Sequence, residues 1–355
     1  MKPFDTLTKR GQLQRLRQVG LAALAAYDVP APRLVPLHHI ENTTFRVLAA
    51  DQQQYVLRIQ RPDSHAAAAI RAEMAWLLAL GRDTDLAVPE PVPNRAGAFV
   101  TVAAMDDMPE PRNCVLLRWL DGRFFDKKLT SNQLEQVGIF TAKLHEHAFR
   151  WQPPADFVRS RSDAITEKAR RLLWQPKTSN DFTPQPSDED VTRTIALVND
   201  LFSTKDAGVV ASVLQQIRRV FQELGESKEV FGLIHADLHQ SNYLFQRGRA
   251  CAIDFDDCGW GHYLFDLNVT LRELAHLPNY PSLRAALLAG YRSIRPLSAD
   301  QERYLDTFFA LRRIQLLIWV IESRDHPAFR AWVEWARHDL QKLAHFLAQQ
   351  SGKND

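Results

Sequence analysis

Cysteine is scarce in this chain of 355 residues, which contains only Cys114, Cys251 and Cys258. No two of them form a CxxC pair, so the spacing excludes a disulfide framework and a zinc or redox site of that kind and predicts buried, reduced thiols. Net charge is also small, because 44 Lys and Arg balance 42 Asp and Glu. A charge of +2 gives no broad field for nucleic acid or an anionic membrane, so any phosphate binding has to be local.

Long hydrophobic runs are missing as well. The longest, Leu316–Ile321, is far too short to span a bilayer, and the first residues lack the apolar core of a secretory signal. We therefore expect a cytoplasmic protein with access to ATP and without a membrane partner. The hydrophobic content of 45% is ample for a folded core, and the sequence carries no indication of oligomeric state.

The first third of the chain has the pattern of a small antiparallel sheet with two helices. Short runs of β-branched and aromatic residues, bounded by Pro, Asn or Asp, predict strands, and apolar residues at helical spacing predict the helices. The strands are expected over 33–40, 44–49, 54–60, 98–103 and 114–120, and the helices over 8–26 and 64–80. The turn Asp121-Gly122 marks a boundary, so residues 1–120 form the first predicted domain, a nucleotide-binding lobe.

Residues 121–355 form the second predicted domain, a mainly helical lobe for catalysis and acceptor binding. A stretch at about 150–190 is rich in Pro, Ser, Asp and Gln and predicts a loop-rich excursion. Helical spacing is found over 131–148, 190–224 and 281–349. Apolar runs over 230–234, 243–245 and 250–255 predict a small β region between the helices.

Polar residues follow the strands of this β region, in His235-Ala-Asp-Leu-His-Gln-Ser-Asn242 and Ile253-Asp-Phe-Asp-Asp257. Phosphoryl transfer needs a carboxylate that orients the attacking hydroxyl and takes its proton, together with hard oxygen ligands for Mg²⁺. Asp237 is the predicted base. Asn242 and Asp254 are the predicted metal ligands, and His235 is expected to brace the loop by hydrogen bonds.

Other interpretations of these residues stay open at this point. His235 could be a purely structural group at a strand end, and His239, Asp256 and Asp257 could simply be solvated. His235 and His239 at i and i+4 could also share a metal on a helix, as in a metallohydrolase. That interpretation leaves Asn242 unexplained, and the flanking apolar runs favour strands rather than a helix.

The spacing Asp-Leu-x-x-x-Asn is that of the kinase catalytic loop. Because of this spacing, the chain resembles the aminoglycoside phosphotransferase and choline kinase superfamily. The resemblance covers about residues 33–330 and is most specific over 230–270. The resemblance implies an α+β, bilobal protein-kinase-like fold, with a small antiparallel β N-lobe and a mainly α-helical C-lobe, that binds ATP.

The resemblance also implies roles for single residues. Family members carry a small residue where protein kinases have Arg, and Ala236 fits this pattern. Their metal-binding aspartate is usually not followed by Phe-Gly, which agrees with Asp254. Asp266 matches an aspartate that supports the loop and caps the next helix. Arg118 and Leu120 lie at the position of the adenine-binding hinge, whose contacts are made by the backbone.

Binding of the ATP phosphates needs a cation. Alternation along the strand 54–60 puts Val56 and Arg58 on one face, so Val56 could cover the adenine while Arg58 reaches the phosphates. Glu73 is placed to pair with Arg58. The chain departs here from the lysine that protein kinases and many family members carry at this position, although arginine also binds phosphate. The alternative is an ordinary surface ion pair.

No glycine-rich loop precedes these residues. Asn42, Thr43 and Thr44 in the turn between the first two strands could present amides and hydroxyls to the phosphates, but a plain β-turn has the same composition.

The acceptor is less clearly indicated. Residues 267–355 hold 12 Lys and Arg and 9 Asp and Glu, which favours a neutral, zwitterionic or acidic small alcohol over a polycationic aminoglycoside. A predicted acceptor pocket comprises Asp256 together with Arg312, Trp319 and Glu322 of the helix over 305–323. Burial preferences favour a core position for Trp319 over a place in this pocket.

Three hypotheses result from the sequence. The leading one is a kinase that uses ATP and Mg²⁺ to phosphorylate a hydroxyl of a small molecule. The second is an atypical protein Ser/Thr kinase, against which the absence of a Ser-, Thr- or Tyr-rich activation segment after Asp254 counts. The third is an inactive nucleotide-binding module, against which the complete set of Asp237, Asn242 and Asp254 counts.

Overall fold

The computed structural model describes residues 3–40, 42–62, 66–125, 129–175, 185–325 and 332–351. The chain forms two compact units. The first comprises Met1–Arg123, Pro153–Val158 and Cys251–Asp256, and the second comprises Phe124–Gln152, Arg159–Ala250 and Asp257–Asp355. The division of function at residue 120 stays a prediction, and Asp254 and Asp256, which it assigned to the second domain, belong to the first unit.

The first unit is built around an antiparallel sheet. Its elements are α1 (Lys9–Leu24), β1 (Arg33–His39), β2 (Thr43–Leu48), β3 (Gln54–Ile59), α2 (Ala67–Asp83), β4 (Pro91–Val92), β5 (Thr101–Ala103) and β6 (Arg112–Arg118). The strand order is β1-β2-β3-β6-β4, and β5 also pairs with β6. All of these pairings are antiparallel, and the predicted strands of this region are confirmed.

Side-chain alternation gives the sheet its two faces. In β3, Tyr55, Leu57 and Ile59 are buried in one apolar cluster with α1, as the period of two requires. Arg58 points to the opposite face and is buried there too, where it meets Glu73 of α2. A charged residue on this otherwise apolar strand therefore has a partner supplied by a helix of the same unit.

The second unit is mainly helical. Its elements are α3 (Ser131–Arg150), α4 (Glu167–Arg170), α5 (Asp188–Leu201), α6 (Thr204–Leu224), β7 (Phe231–Ile234), β8 (Tyr243–Gln246), β9 (Arg249–Ala252), β10 (Gly259–His262), α7 (Tyr263–Leu274), α8 (Tyr280–Arg292), α9 (Ala299–Glu302), α10 (Leu305–Glu322) and α11 (Trp332–Ser351). β7 pairs with β10, and β8 pairs with β9. The division between the two units falls within β9, after Ala250.

Three details differ from the sequence-based expectation. The loop-rich excursion at about 150–190 contains α4 and the start of α5, and its residues 176–184 lie outside the described residues. The strand expected over 250–255 ends at Ala252, so Asp254 lies beyond it. The strand β10 was not predicted, because glycine and a single tryptophan make up most of it.

Helices α3 and α8 pack closely because each contributes a glycine at their contact. A side chain at Gly138 would collide with the carbonyl oxygen of Leu287, and one at Gly290 with that of Glu135. This close approach brings the next turn of α8 to α3, where the site described below begins.

The fold class is α+β, as predicted, with an antiparallel sheet in the first unit and mainly helices in the second. The three cysteines are free and buried, which confirms that prediction. Among the described residues, no helix combines the length and the apolar character needed to cross a membrane.

Candidate active site

The predicted catalytic segment is a turn between two short strands. It runs from His235, after β7, to Asn242, before β8, and it is not helical. Ala236 has a left-handed backbone with φ of 67°, which disfavours a residue with a side chain by roughly 1–2 kcal/mol. Since His235 and His239 do not lie on one helix, the metallohydrolase interpretation is wrong.

The carboxylate of Asp266 holds this turn in place. Asp266 lies in the first turn of α7, is fully buried, and accepts hydrogen bonds from the backbone amides of His235 at 2.8 Å and Ala236 at 2.6 Å. These two bonds stabilise the left-handed residue. Asp266 thus supports the loop, as the resemblance led us to expect. The expected capping of the helix is wrong, because His262 occupies the N-cap position.

Behind Asp266 lies a buried histidine that no sequence motif indicated. His145 of α3 donates from Nε2 to Asp266 Oδ2 at 3.1 Å, and its Nδ1 accepts from the Tyr291 hydroxyl at 2.9 Å. Burial lowers the pKa of His145 more than its bond to Asp266 raises it, so the ring is neutral. The support of the catalytic turn thus extends to α3 and α8.

Asp237 lies within this turn, and its carboxylate is partly open to solvent. Arg312 of α10 binds Oδ1, while Oδ2 accepts from Asn242 Nδ2 at 3.1 Å and lies 3.3 Å from His239 Nε2. Burial acts to raise the pKa of Asp237, but the charge of Arg312 and then the bond to His239 outweigh it, so the pKa is below its ordinary value. The carboxylate is therefore ionised at neutral pH.

The two histidines of the turn differ in their surroundings. His235 is fully buried, and its Nδ1 accepts a long hydrogen bond of 3.4 Å from the Asp237 amide. His239 lies 3.8 Å from Glu273 in addition to its contact with Asp237. Burial acts to lower the pKa of His239, but the bond to Asp237 and both carboxylate charges raise it overall. The interpretation of His239 as a merely solvated residue is wrong.

Asn242 binds Asp237 through the nitrogen of its side-chain amide. Besides the carboxylate, Nδ2 donates to the Asp237 carbonyl oxygen at 2.9 Å. Because the nitrogen faces Asp237, the amide oxygen points the other way. An amide oxygen is the type of ligand that Mg²⁺ takes in proteins. The metal-binding role of Asn242 stays a prediction.

A second charged cluster lies in the first unit around Arg58. Its Nη2 lies 2.5 Å from Glu73 Oε2, and the two side chains are only 4% and 1% exposed. The predicted pair is confirmed, and the alternative of a surface ion pair is wrong. Burial alone would lower the pKa of Arg58, but the charges of Glu73 and then Asp256 raise it above its ordinary value, so the guanidinium is charged.

Two further carboxylates approach Arg58 from the segment that follows β9. Asp256 Oδ1 lies 3.4 Å from Arg58 Nη2, and Asp254 Oδ1 lies 3.8 Å from Nη1. Phe255 between them is buried, which holds the two aspartates in position. Asp254 has a left-handed φ of 62°, and 54% of its side chain is exposed. With Glu73, Arg58 thus meets three carboxylates, so the ion-pair contacts of the described residues give this cluster more negative than positive charge.

Asp256 also binds the turn before β2. Its Oδ2 accepts from Asn42 Nδ2 at 2.6 Å and its Oδ1 from Gln60 Nε2 at 3.2 Å, while Asn42 Oδ1 accepts from the Arg61 amide at 3.1 Å. Asp256 is therefore not simply solvated. Sequence reasoning assigned it to the acceptor pocket, whereas the structure bonds its carboxylate to Asn42 and Arg58, both predicted to bind nucleotide.

The remaining strand residues predicted to bind nucleotide lie around Arg58. Thr44 is its partner in the β2–β3 register, and Val56 lies two residues before it on the same face. The hydroxyl of Thr43 is buried and lies 2.7 Å from His39 Nδ1, so this hydroxyl is already hydrogen-bonded within the protein. Their roles in nucleotide binding stay predictions.

The segment predicted as the adenine-binding hinge follows β6. The Arg118 amide donates to the Glu90 carbonyl at 2.8 Å, and the Trp119 amide donates to that of Gln54 at 3.0 Å. Leu120 is half-buried after them. These two amides are therefore already hydrogen-bonded within the protein, and the roles of Arg118 and Leu120 in binding adenine stay predictions.

The residues of α10 predicted to bind the acceptor have separate surroundings. Arg312 binds the predicted base, as described above. Glu322 accepts a hydrogen bond of 2.8 Å from the Glu167 amide, which is a structural contact. Trp319 is half-buried, with its ring edge-to-face with Trp332 at 5.8 Å, in keeping with the alternative of a packing residue.

The chain belongs to the phosphotransferase enzyme family, which it matches over residues 33–305. It is therefore a phosphotransferase of the kinase class, and the resemblance drawn from the catalytic turn is confirmed.

Single relatives cover most of the chain. A homoserine kinase of Neisseria meningitidis serogroup B (strain ATCC BAA-335 / MC58) is 29% identical over 262 residues, 71% of this chain and 72% of that protein. A microcompartment-associated aminopropanol kinase matches with a TM-score of 0.75 at 29% identity, over 95% of this chain and 98% of that one. An amicoumacin kinase solved with AMP-PNP and Ca²⁺ has a TM-score of 0.73 at 18% identity, over 95% and 96%, which shows the shared fold.

Proposed function

We propose that this protein transfers the γ-phosphate of ATP to a hydroxyl group of a small molecule in a Mg²⁺-dependent reaction. The observation that carries the proposal is the state of Asp237. Its carboxylate is ionised, partly open to solvent, and oriented by Asn242 and His239 on a turn that is held from behind by Asp266. A carboxylate prepared in this way suits a base that receives the proton of an acceptor hydroxyl.

The reaction balances with Asp237 as the proton acceptor. The acceptor oxygen forms a bond to the γ-phosphorus, the bond from that phosphorus to the bridging oxygen of ADP breaks, and the hydroxyl proton moves to the Asp237 carboxylate. His235 and Asp266 hold the turn from behind and do not exchange protons in this step.

The residues present fit a divalent cation in this role. The Arg58 cluster has one positive charge against the three carboxylates of Glu73, Asp254 and Asp256, a surplus that a cation would neutralise. In this cluster the proposed Mg²⁺ ligand is the carboxylate of Asp254, which is a hard oxygen ligand. The amide oxygen of Asn242 on the catalytic turn is proposed separately as a ligand of the same type. When bound, the cation would offset the charge of the phosphate oxygens.

The nucleotide phosphates fit next to Arg58. Within the part of the chain that the structure describes, Arg58 Nε and Glu73 Oε1 are buried and have no hydrogen-bond partner. Such orphaned atoms are uncommon in folded proteins, and a phosphate oxygen would satisfy the guanidinium. Asn42 and Thr44 would contribute polar groups beside it, and Val56 would contact the adenine.

A small-molecule acceptor is favoured over a protein acceptor by the segment after Asp254. Gly259–His262 is strand β10, which pairs with β7 and leads directly into α7. A segment taken up by strand pairing does not form the long activation loop of a regulated protein kinase. The relatives named above phosphorylate homoserine, aminopropanol or amicoumacin by their names, and the first two compounds are amino alcohols. An amino alcohol is thus the proposed acceptor class, and the cytoplasm, which holds ATP, is the proposed location.

An ADP-release assay tests the proposal. The purified chain is incubated with ATP and Mg²⁺ and a panel of amino alcohols, hydroxy acids, sugars and aminoglycosides, with a generic protein substrate in parallel. We expect ADP release with at least one small hydroxyl compound and none after removal of Mg²⁺ with EDTA. Phosphorylation of the protein substrate alone, or ADP release that does not depend on any added hydroxyl, would refute the proposal.

A further inference from the structure

Arg312 occupies the oxygen of Asp237 that an acceptor hydroxyl would need. Its guanidinium contacts Oδ1, while Oδ2 is already bonded to Asn242 and His239. The side chains of Arg312 and Asp237 are 18% and 20% exposed, so a ligand can reach both. The ion pair with Arg312 keeps Asp237 Oδ1 from contacting an acceptor hydroxyl. The pair is therefore an arrangement that binding of the acceptor must change.

More cations surround Arg312 than the local carboxylates balance. Arg313 of α10 and Arg272 of α7 share one buried carboxylate, that of Asp339, at 2.5 and 3.2 Å. Lys342 lies one turn further along α11. Burial lowers the pKa of Arg272, and the charges of Arg312 and Arg313 lower it further, which indicates that the three arginines are close.

The charge balance of this basic cluster is positive. We define it as Arg272, Arg312, Arg313 and Lys342, and among the described residues the carboxylates of Asp237, Glu273 and Asp339 accompany these four charges. Arg272 Nε is buried without a hydrogen-bond partner among the described residues. The cluster thus lacks an anion.

We infer that Arg312 binds an anionic group of the acceptor, a carboxylate or a phosphate, and thereby releases Asp237 Oδ1 for the acceptor hydroxyl. This inference rests on the proposed function, since it names the chemistry of the acceptor for the same site. A planar guanidinium binds carboxylate and phosphate with two parallel hydrogen bonds, so exchanging Asp237 for such a group preserves an ion pair of equal quality. The phosphoryl transfer itself is as written above, with the hydroxyl proton moving to Asp237.

A purely structural role of Arg312 explains less. Arg313 and Arg272 pair with the buried Asp339, whose side chain is 1% exposed and needs compensation. Arg312 instead pairs with the carboxylate of Asp237, which is partly open to solvent. The inference explains why Arg312 lies beside the base: an anionic group of the substrate would replace Asp237 as the partner of Arg312.

Pairs of compounds that differ in one anionic group test the inference. Homoserine and 3-amino-1-propanol differ only by a carboxylate, and glycerol 3-phosphate and glycerol differ only by a phosphate. Isothermal titration calorimetry with each compound is run on the full chain saturated with AMP-PNP and Mg²⁺. In at least one pair, we expect the compound that carries the anionic group to bind at least about tenfold more tightly than the compound that lacks it. This is a typical effect of a charge-assisted hydrogen bond. The pair that responds distinguishes a carboxylate from a phosphate.

Variants connect the preference to this side chain. Arg312→Gln should reduce the preference to less than about threefold, and Arg312→Lys should keep part of it because the charge is retained. Arg303→Gln, which removes an exposed arginine near Asp300, is the matched control and should keep the full preference. Circular dichroism and thermal unfolding verify that each variant is folded.

Failure of the inference and failure of the proposed function give different results. Equal binding within both pairs, whether tight or absent, or a preference that survives in Arg312→Gln, would overturn the inference. Turnover of an uncharged acceptor in the ADP-release assay would leave the proposed function standing in that case. Anion-dependent binding through Arg312 without any turnover would support the inference about binding and contradict the proposed function.

Discussion

The cluster around Arg58 and the cluster around Asp237 are built from the same kinds of side chain with opposite balance. In the first unit one arginine faces three carboxylates, and both partners of its closest ion pair are buried. In the second unit the carboxylate of Asp237 faces Arg312 and His239, and further arginines lie nearby. The first arrangement agrees with the proposed binding of a cation, and the second with the proposed binding of an anion. Charge balance, more than residue type, therefore separates the two roles.

The largest expected effect comes from removing the charge of Asp237 alone. Asp237→Asn keeps the size of the side chain but not its basicity, so we expect kcat to fall by about 10²–10⁴. The Kd for AMP-PNP should change less than about threefold, because Asp237 belongs to the other cluster. ADP release and calorimetry measure the two quantities.

The control for this variant is Asp300→Asn, which changes an exposed carboxylate and should leave kcat unaltered. If the Asp237→Asn variant kept full turnover, Asp237 would not be the base, and the proposed catalytic role of its cluster would be wrong.

Removal of Arg58 tests the buried pair of the first unit. Arg58→Ala leaves Glu73 buried without its partner, so the free energy of unfolding should fall by about 3–5 kcal/mol. The double variant Arg58→Met with Glu73→Leu replaces both charges with apolar groups and should recover most of that loss. Urea unfolding measures the stability of both.

The double variant also separates stability from binding. It should remain folded yet bind AMP-PNP at least about tenfold more weakly, because a charge-assisted contact with phosphate is gone. Unchanged affinity in a folded double variant would show that Arg58 supports the sheet and nothing else.

A pH-dependent effect is expected behind the catalytic turn. Burial lowers the pKa of His145 in the folded state, so the unfolded chain binds this proton more readily. The stability it contributes is full above the ordinary pKa of about 6.5 and decreases as the pH falls below it, by up to about 1.4 kcal/mol per pH unit. Thermal unfolding between pH 7 and 5 should show a smaller slope in His145→Gln than in the unmodified chain.

The exposed His276 supplies the control for this experiment. His276→Gln should reproduce the slope of the unmodified chain. An unchanged slope in His145→Gln would mean that this ring is not held neutral by its burial.

The smallest expected effect concerns the left-handed residue of the turn. Ala236→Gly removes the strain at φ of 67° and should raise the free energy of unfolding by roughly 0.5–1 kcal/mol. Ala250→Gly in strand β9 removes a methyl group where no such strain exists, so it should lower stability by a similar amount. A loss of stability in both variants would indicate that the Ala236 methyl group contributes packing that exceeds the strain.

Local patterns were sufficient to predict much of the first unit. The strands β1 to β3 were predicted within one residue, because Pro, Asn and Asp interrupt runs of β-branched and aromatic residues there. The pair of Arg58 and Glu73 followed from alternation in β3 and from the helical stripe of α2. The turn residues Asp237 and Asn242 followed from motif spacing.

Contacts between residues far apart in the chain were not predictable in the same manner. Nothing local distinguishes His145 as the partner of Asp266, since their contact depends on the packing of α3 with α7. The sequence assigned Asp256 to the acceptor pocket. Its bonds to Asn42 and Arg58 could not be seen there, because they join residues about two hundred positions apart. Pairing patterns of this kind become visible only when the chain is folded.

The most direct test of the account is the effect of Mg²⁺ on AMP-PNP binding, measured by calorimetry in three proteins. In the unmodified chain, Mg²⁺ should tighten binding by about tenfold or more, since it offsets the surplus of carboxylates around Arg58. Asp254→Asn should lose this gain, and Asp237→Asn should keep it. A gain that persists without the Asp254 charge, or one that disappears with Asp237→Asn, would contradict the separation of the two clusters.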